Sequence, residues 1–305
     1  MKRPNLQELE RICQKPDHRR LGNWMARRVS RPAALRVTWL VAPWGVSANA
    51  ATLLAWAVGM AAAAAFAWAT PGGWLLAAAL LQLWYLLDHV DGQLARLHGT
   101  ASLDGVELDY LMHHTINLLV PLGIGVGVFL QNSSPLWFLA GLIWGLASLL
   151  ITLHHDARYK AFAKRLKRVH GRLHVQGGGG ARPSCQPPMP RRPGRLAAYL
   201  ARKVCETHVV MNLLTVVAVG QWLLSDTALW GARIYLGVMG PLSLAVAAWT
   251  ILRSLHNQEA EREFAAWYGV PDGCELVFRD GWWYVEAVED EAMEDVAHTG
   301  RKRPG

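Results

Sequence analysis

Six stretches of this chain are apolar enough, and close enough to the ~20 residues a bilayer-spanning helix requires, to decide its class. They run roughly over Ser47–Thr70, Trp74–Leu97, Val106–Leu130, Pro135–His154, Thr207–Leu224 and Leu229–Leu252. With 52% of its 305 residues hydrophobic and 18% charged, the chain reads as an all-α integral membrane protein rather than a water-soluble helical one. Most of the 15 tryptophans fall near the ends of these stretches, where indole rings anchor helices at the interface.

The basic residues give a second, independent signal. The first 36 residues carry ten Lys or Arg, and 156–206 carry thirteen. The connections near Thr70–Gly73, Gln131–Ser134 and Ser225–Ala228 carry none. Cytoplasmic loops are enriched in Lys and Arg, so six spans with both termini inside place both basic stretches on the cytoplasmic side. The net charge of +8 then reads as contact with anionic lipid or phosphate-bearing substrate, with no need of nucleic acid. The four cysteines form no CxxC pair and suggest no disulfide framework. Polar sequence runs past residue 30 before any apolar core, which argues against a cleaved signal peptide.

The expected organisation follows. Residues 1–20 are a basic N-terminal segment. Residues 21–44 interleave Arg27, Arg28, Arg31 and Arg36 with Trp24, Val29, Leu35 and Trp39, the pattern of an amphipathic helix lying in the interface. Residues 45–255 form the six-helix membrane domain, interrupted at 156–206 by a basic loop that passes through Gly177–Gly180 into several prolines and reads as flexible. Residues 256–305 are a polar tail. In it Glu275–Phe278 and Trp282–Val288 flank an Asp280-Gly281 turn, a β-hairpin signal, and the end from Glu289 reads as disordered. Gly141 and Gly145 form a GxxxG, a face for close helix packing or for a homodimer.

The second stretch ends abnormally. After a run without charge come Asp88, Asp91 and Arg96; charges at membrane depth are costly and mark functional sites. Asp88, Asp91, Gly92, Ala95 and Arg96 fall on one helix face. Gly105, Asp109 and His113 do the same at the start of the third stretch. The short connection between the two makes the helices neighbours, so their polar faces can meet. Three converging carboxylates without lysine partners repel one another, and a divalent cation relieves this. Oxygen ligands favour Mg²⁺ or Mn²⁺. Gly92 and Ala95 leave room for close approach, and the Arg96 guanidinium suits phosphate. These features describe a site for phosphate transfer, in which the protein supplies position and charge.

The pattern Asp88-x2-Asp91-Gly92-x2-Ala95-Arg96-x8-Gly105-x3-Asp109 resembles the signature of the CDP-alcohol phosphotransferase family, over roughly residues 25–255. Upstream, Ser47-Ala48-Asn49-Ala50-Ala51-Thr52 resembles the family's approach to its first span, with Ala48 in place of a proline. The resemblance implies a membrane enzyme of phospholipid synthesis. Such an enzyme transfers a substituted phosphoryl group from a CDP-alcohol, here CDP-diacylglycerol, to an alcohol acceptor and releases CMP. It implies a pair of Mg²⁺ or Mn²⁺ ions on Asp88, Asp91, Asp109 and His113. It also implies donor contacts from Asp88, Gly92, Ala95, Arg96 and Gly105, while Asn49 and Thr52 either contact the donor too or hydrogen-bond between helices. One position departs. Where the family has a fourth aspartate, which takes the acceptor's proton, this chain has His113. Three readings stay open: His113 is itself the base; the site is rearranged, with His114, Asp104 or Glu107 assisting; or the chain binds a CDP-lipid or metal without turnover. A transferase joining a CDP-linked head group to a lipid alcohol is the alternative reaction. His208, Asn212 and Thr215, with Glu206 nearby, either line an acceptor pocket or pack between helices.

Overall fold

The computed structural model describes residues 5–15, 18–20, 22–175 and 189–287. The glycine-rich run Gly177–Gly180, the prolines that follow it as far as Pro188 and the acidic end from Glu289 lie outside them. The chain divides into two compact units, one of residues 1–154 and 183–253, the other of residues 155–182 and 254–305.

In the first unit, α1 (Leu6–Cys13) precedes a π-turn at Ala26–Ser30, α2 (Arg31–Val41) and a 3₁₀ turn at Ala42–Trp44. The helices α3 (Ala48–Ala67), α4 (Pro71–His98), α5 (Leu103–Asn132) and α6 (Pro135–Leu166) follow, then α7 (Pro193–Val204), α8 (Thr207–Leu223) and α9 (Trp230–His256). Five of these helices are long and apolar enough to cross a membrane. Among the described residues, the pair α7 and α8, bent by 72°, passes the same test only together, as a broken span or a re-entrant loop. The chain is thus an integral membrane protein of the expected helical class, with the fifth expected span bent into α7 and the 17 residues of α8.

The caps explain where the helices begin. Ser47 accepts from Ala50 N–H, Thr70 from Gly73 N–H and Ser102 from Gly105 N–H at 3.0–3.2 Å, each filling one of the donors a helix N-terminus leaves free. Gly99 ends α4 at φ 65°, a left-handed conformation that glycine adopts without strain. Four residues later α5 begins, and α4 and α5 both pack against α3. The core joins Ala55, Phe66, Trp74, Trp84, Ile116, Ile124, Trp144 and Leu214. Small residues bring backbones together. A Cβ on Gly125 would lie 2.9 Å from Gly141 Cα, and one on Gly145 would lie 2.8 Å from Leu118 O. The GxxxG face is therefore spent on packing α6 against α5 within the chain.

Two differences from expectation concern polar segments. The N-terminal segment 1–20 holds a helix, α1, capped by Asn5, whose side chain accepts from Glu8 N–H at 2.8 Å. Its Leu9 and Cys13 are fully buried, clustered with Leu35, Trp39 and Leu97. Burial pushes the Cys13 thiol up to about 11, so this cysteine serves as a small apolar side chain. The helical stretch that follows, expected over 21–44, buries Ala34, Leu35 and Thr38, and Thr38 Oγ1 donates to Gln93 Oε1 of α4 at 2.9 Å. The stretch 156–206, expected as one flexible loop, is helical at both ends, to Leu166 in α6 and from Pro193 in α7.

The second unit explains the first of those helical ends. Arg158 bonds Glu263 at 2.7 Å and Ser254 at 3.0 Å. Arg165 forms a two-pronged pair with Glu261 of α10 (Glu259–Trp267) at 2.5 and 2.6 Å. Strands β1 (Val169–His170), β4 (Cys274–Arg279) and β5 (Trp282–Ala287) form one sheet, and β2 (His174–Val175) pairs with β3 (Tyr268–Gly269). The expected hairpin is β4–β5, turning at Asp280 and Gly281 with φ 53° and 84°, the two positive φ values of a type I′ turn. It gains its support from β1, which pairs with β5 in parallel, and from the Arg165 guanidinium 4.3 Å above the Trp283 ring.

Candidate active site

The α4–α5 hairpin sets the last turns of one helix beside the first turns of the other. This juxtaposition places Asp88, Asp91, Gly92, Ala95 and Arg96 opposite Gly105, Asp109 and His113, with Asn49 at the start of α3 on the third side. Together these residues line one cavity of ≈ 370 Å³. His113 Nε2 lies 2.8 Å from Asp88 Oδ1 and 3.4 Å from Asp109 Oδ1. One donor atom from each of the three lies within 4.8 Å of the others, close enough to hold a metal ion. Two carboxylates and an imidazole form a set suited to a divalent cation, with the nitrogen moving it from a pure hard-ion site towards Mn²⁺ and its neighbours.

Two expected members sit differently. Asp91 is not part of that three-residue group. Its carboxylate is buried and held from behind by Thr52, whose Oγ1 lies 2.7 Å from Asp91 Oδ2. Thr52 in turn does not face the cavity. It positions Asp91. The two glycines have distinct reasons. A Cβ on Gly92 would stand 3.4 Å from the Arg96 guanidinium, and one on Gly105 would crowd Ser102 Oγ and Asn49 Oδ1 at 3.3 and 3.4 Å.

The lining residues that sequence reasoning missed include Gln14, Lys15 and Arg31 from before the first span, and His89 and Gln93 on α4. Gln14 and Lys15 arrive because α1 folds back on α4, where Arg96 Nε donates to the Cys13 carbonyl, and Arg31 arrives with α2, its carbonyl accepting from Gln93 Nε2 at 3.3 Å. A signal was present: Asn5 followed three residues later by Glu8 is a helix-start pattern, with Leu9 and Cys13 spaced by one turn.

A second cavity of ≈ 470 Å³ begins on the other side of His113. Its walls are mostly apolar, with Leu81, Trp84, Ile116, Val120, Trp144 and Met211; Asn23, Arg202, Glu206 and His208 add polar groups. The Trp84 and His113 rings meet edge to face at 5.5 Å. Of the α8 residues left open by the sequence, His208 faces this cavity. Asn212 and Thr215 instead accept from Gln82 Nε2 at 3.2 and 2.9 Å and join α4 to α8.

A carboxylate cluster with an arginine and two small residues on one cavity wall is an arrangement suited to binding a metal ion and phosphate. Residues 46–171, which span α3–α6, match the model of the CDP-alcohol phosphatidyltransferase family. A crystal structure of Mycobacterium tuberculosis phosphatidylinositol phosphate synthase (PgsA1) with CDP-DAG bound is 18% identical, at a TM-score of 0.40, covering 70% of this chain and 94% of that one. None of the curated proteins matches the chain.

Proposed function

We propose that the protein transfers a phosphatidyl group from CDP-diacylglycerol to an alcohol in a divalent-metal-dependent reaction that releases CMP, at a site on the cytoplasmic side of the membrane. The observation that carries this reading is that every residue expected from the signature except Thr52 lines one cavity. Asp88 and Asp109 would hold the metal, Mg²⁺ or Mn²⁺, with His113 at its edge and Asp91 on the same cavity wall. The bound cation supplies positive charge against the pyrophosphate and the departing CMP. Arg96 and the surface at Gly92, Ala95, Asn49 and Gly105 bind and orient the CMP portion. His113 borders both cavities, which suits it to meet an acceptor entering through the second. It takes the proton of the acceptor hydroxyl, and Asp88 and Asp109 stabilise the imidazolium that results. The acceptor oxygen bonds the β-phosphorus as the bond to the bridging oxygen breaks, and CMP leaves with that electron pair.

The cytoplasmic assignment rests on the two basic stretches. The mostly apolar wall of the second cavity favours a second reading of the substrates, in which a lipid alcohol accepts a head group from a water-soluble CDP donor.

The test is CMP release by purified protein in mixed micelles, with Mg²⁺ or Mn²⁺. CDP-diacylglycerol is offered with a panel of soluble alcohols, and CDP-linked head groups with lipid alcohols. Metal-dependent release that Asp91→Ala abolishes upholds the reading, and the responding pair names the substrates. No release from either donor class overturns it.

A further inference from the structure

The donor cavity is incomplete without a segment that precedes the matched domain. Of its three cationic wall residues, Arg31 and Arg96 already serve the protein. Arg31 Nη1 donates to the His18 carbonyl at 2.6 Å, and Arg96 Nε donates to the Cys13 carbonyl. The third, Lys15, has no hydrogen bond or ion pair through its ammonium among the described residues, and it stands on the same wall system as Asp88, Asp91 and Asp109. Its position is fixed from below. The buried Leu9 and Cys13 seat α1 on Leu35, Trp39 and Leu97. The chain then leaves the helix extended at Gln14, with φ −88° and ψ 147°, which carries residue 15 over the cavity.

We propose that this N-terminal segment is part of the donor site: the Cys13 carbonyl orients Arg96, and the Lys15 ammonium pairs with a phosphate of the CDP-alcohol. The proposal rests on the donor reading above. Its chemistry follows from charge. A nucleotide pyrophosphate placed among three carboxylates needs cations beyond a metal ion. A lysine is a compact point charge on a flexible stem that can follow a phosphate, whereas both guanidiniums are held by backbone carbonyls.

The experiment is calorimetric titration of CDP-diacylglycerol, and of a CDP-linked head group, into full-length protein in neutral detergent, where no anionic lipid competes for Lys15. CMP release is measured beside it. Lys15→Glu is expected to weaken binding of the accepted donor about tenfold, ~1.4 kcal/mol, and to raise KM by a similar factor with kcat little changed. Lys15→Arg should stay within about twofold of the parent. Lys15 is exposed, so the variants should melt with the parent, and a matching melting curve accompanies each. Equal donor affinity in the parent, Lys15→Ala and Lys15→Glu overturns the proposal while leaving the donor reading intact. A parent that binds neither CDP-alcohol overturns both.

Discussion

His113 occupies the position at which two cavities touch, with its Nε2 2.8 Å from Asp88 and 3.4 Å from Asp109. An imidazole so placed can accept a proton while two carboxylates stabilise its charged form. His113→Ala should therefore lower kcat by about 10²-fold or more, with KM for the donor little changed, and free imidazole should restore part of the rate. His113→Asp should keep activity and shift the metal preference towards Mg²⁺, since it replaces nitrogen by oxygen. Parallel CMP-release assays with Mg²⁺ and Mn²⁺ check both. Full activity in His113→Ala would remove it from the mechanism. Thr52 acts one step away. Its hydroxyl faces a buried Asp91 carboxylate, and such a bond to a charged group contributes about 1.5–3 kcal/mol. Thr52→Val should lower both the melting temperature and the rate, and Thr52→Ser should rescue them.

Among the elements, α5 and α6 approach closely because Gly125 and Gly141 face each other. Gly125→Val forces a side chain to within about van der Waals overlap of backbone that cannot yield, at a cost of roughly 1–3 kcal/mol. The expected result is a lower melting temperature in detergent, whereas Gly72→Ala, which meets nothing within 4 Å, should be silent. In the second unit the hydrogen bonds from Arg165 hold the Glu261 carboxyl below the usual carboxylate range. A depressed carboxyl contributes stability that is present above its ordinary titration range and lost as pH falls through its lowered value. Hydrogen exchange over α10 should thus quicken below about pH 4, and Arg165→Gln should quicken it at neutral pH and flatten that dependence. Exchange that is insensitive to both would show that the aromatic contacts of Phe264 and Trp283 suffice to hold the helix.

At the scale of the whole molecule, charge and the number of crossings set which side each polar segment faces. The four spans α3–α6 separate the two basic stretches and put them on one side whichever way α7–α8 runs; the bent pair decides the side of the tail after α9, which joins them only if α7–α8 crosses as one span. Cysteine-accessibility labelling, with single cysteines placed near residue 20 and near residue 272, should report both on the cytoplasmic face. Labelling from opposite faces would make α7–α8 re-entrant. Chelation should silence CMP release, and restored Mn²⁺ or Mg²⁺ should return it.

What the sequence determined by itself was whatever depends on local spacing and on solvent class. Runs of apolar residues select helices that a bilayer can hold. The i, i+3, i+4 spacing of Asp88, Asp91 and Gly92, and of Gly105 and Asp109, puts each set on one face, and the short Gly99–Ser102 link makes the two faces meet. The Asp280-Gly281 turn was legible for the same reason, since positive φ at both positions suits an Asp-Gly pair. Tertiary structure decided what depends on contacts remote in sequence. It split the four presumed ligands, leaving Asp91 tied to Thr52 and drawing His113 to Asp88. It turned the basic residues Arg158 and Arg165 into partners of Glu263 and Glu261 about a hundred positions away, so a stretch read as a flexible loop begins as helix. It folded α1 onto α4 and brought Lys15 to the cavity, because two buried side chains and one backbone carbonyl, invisible to any local pattern, hold it there.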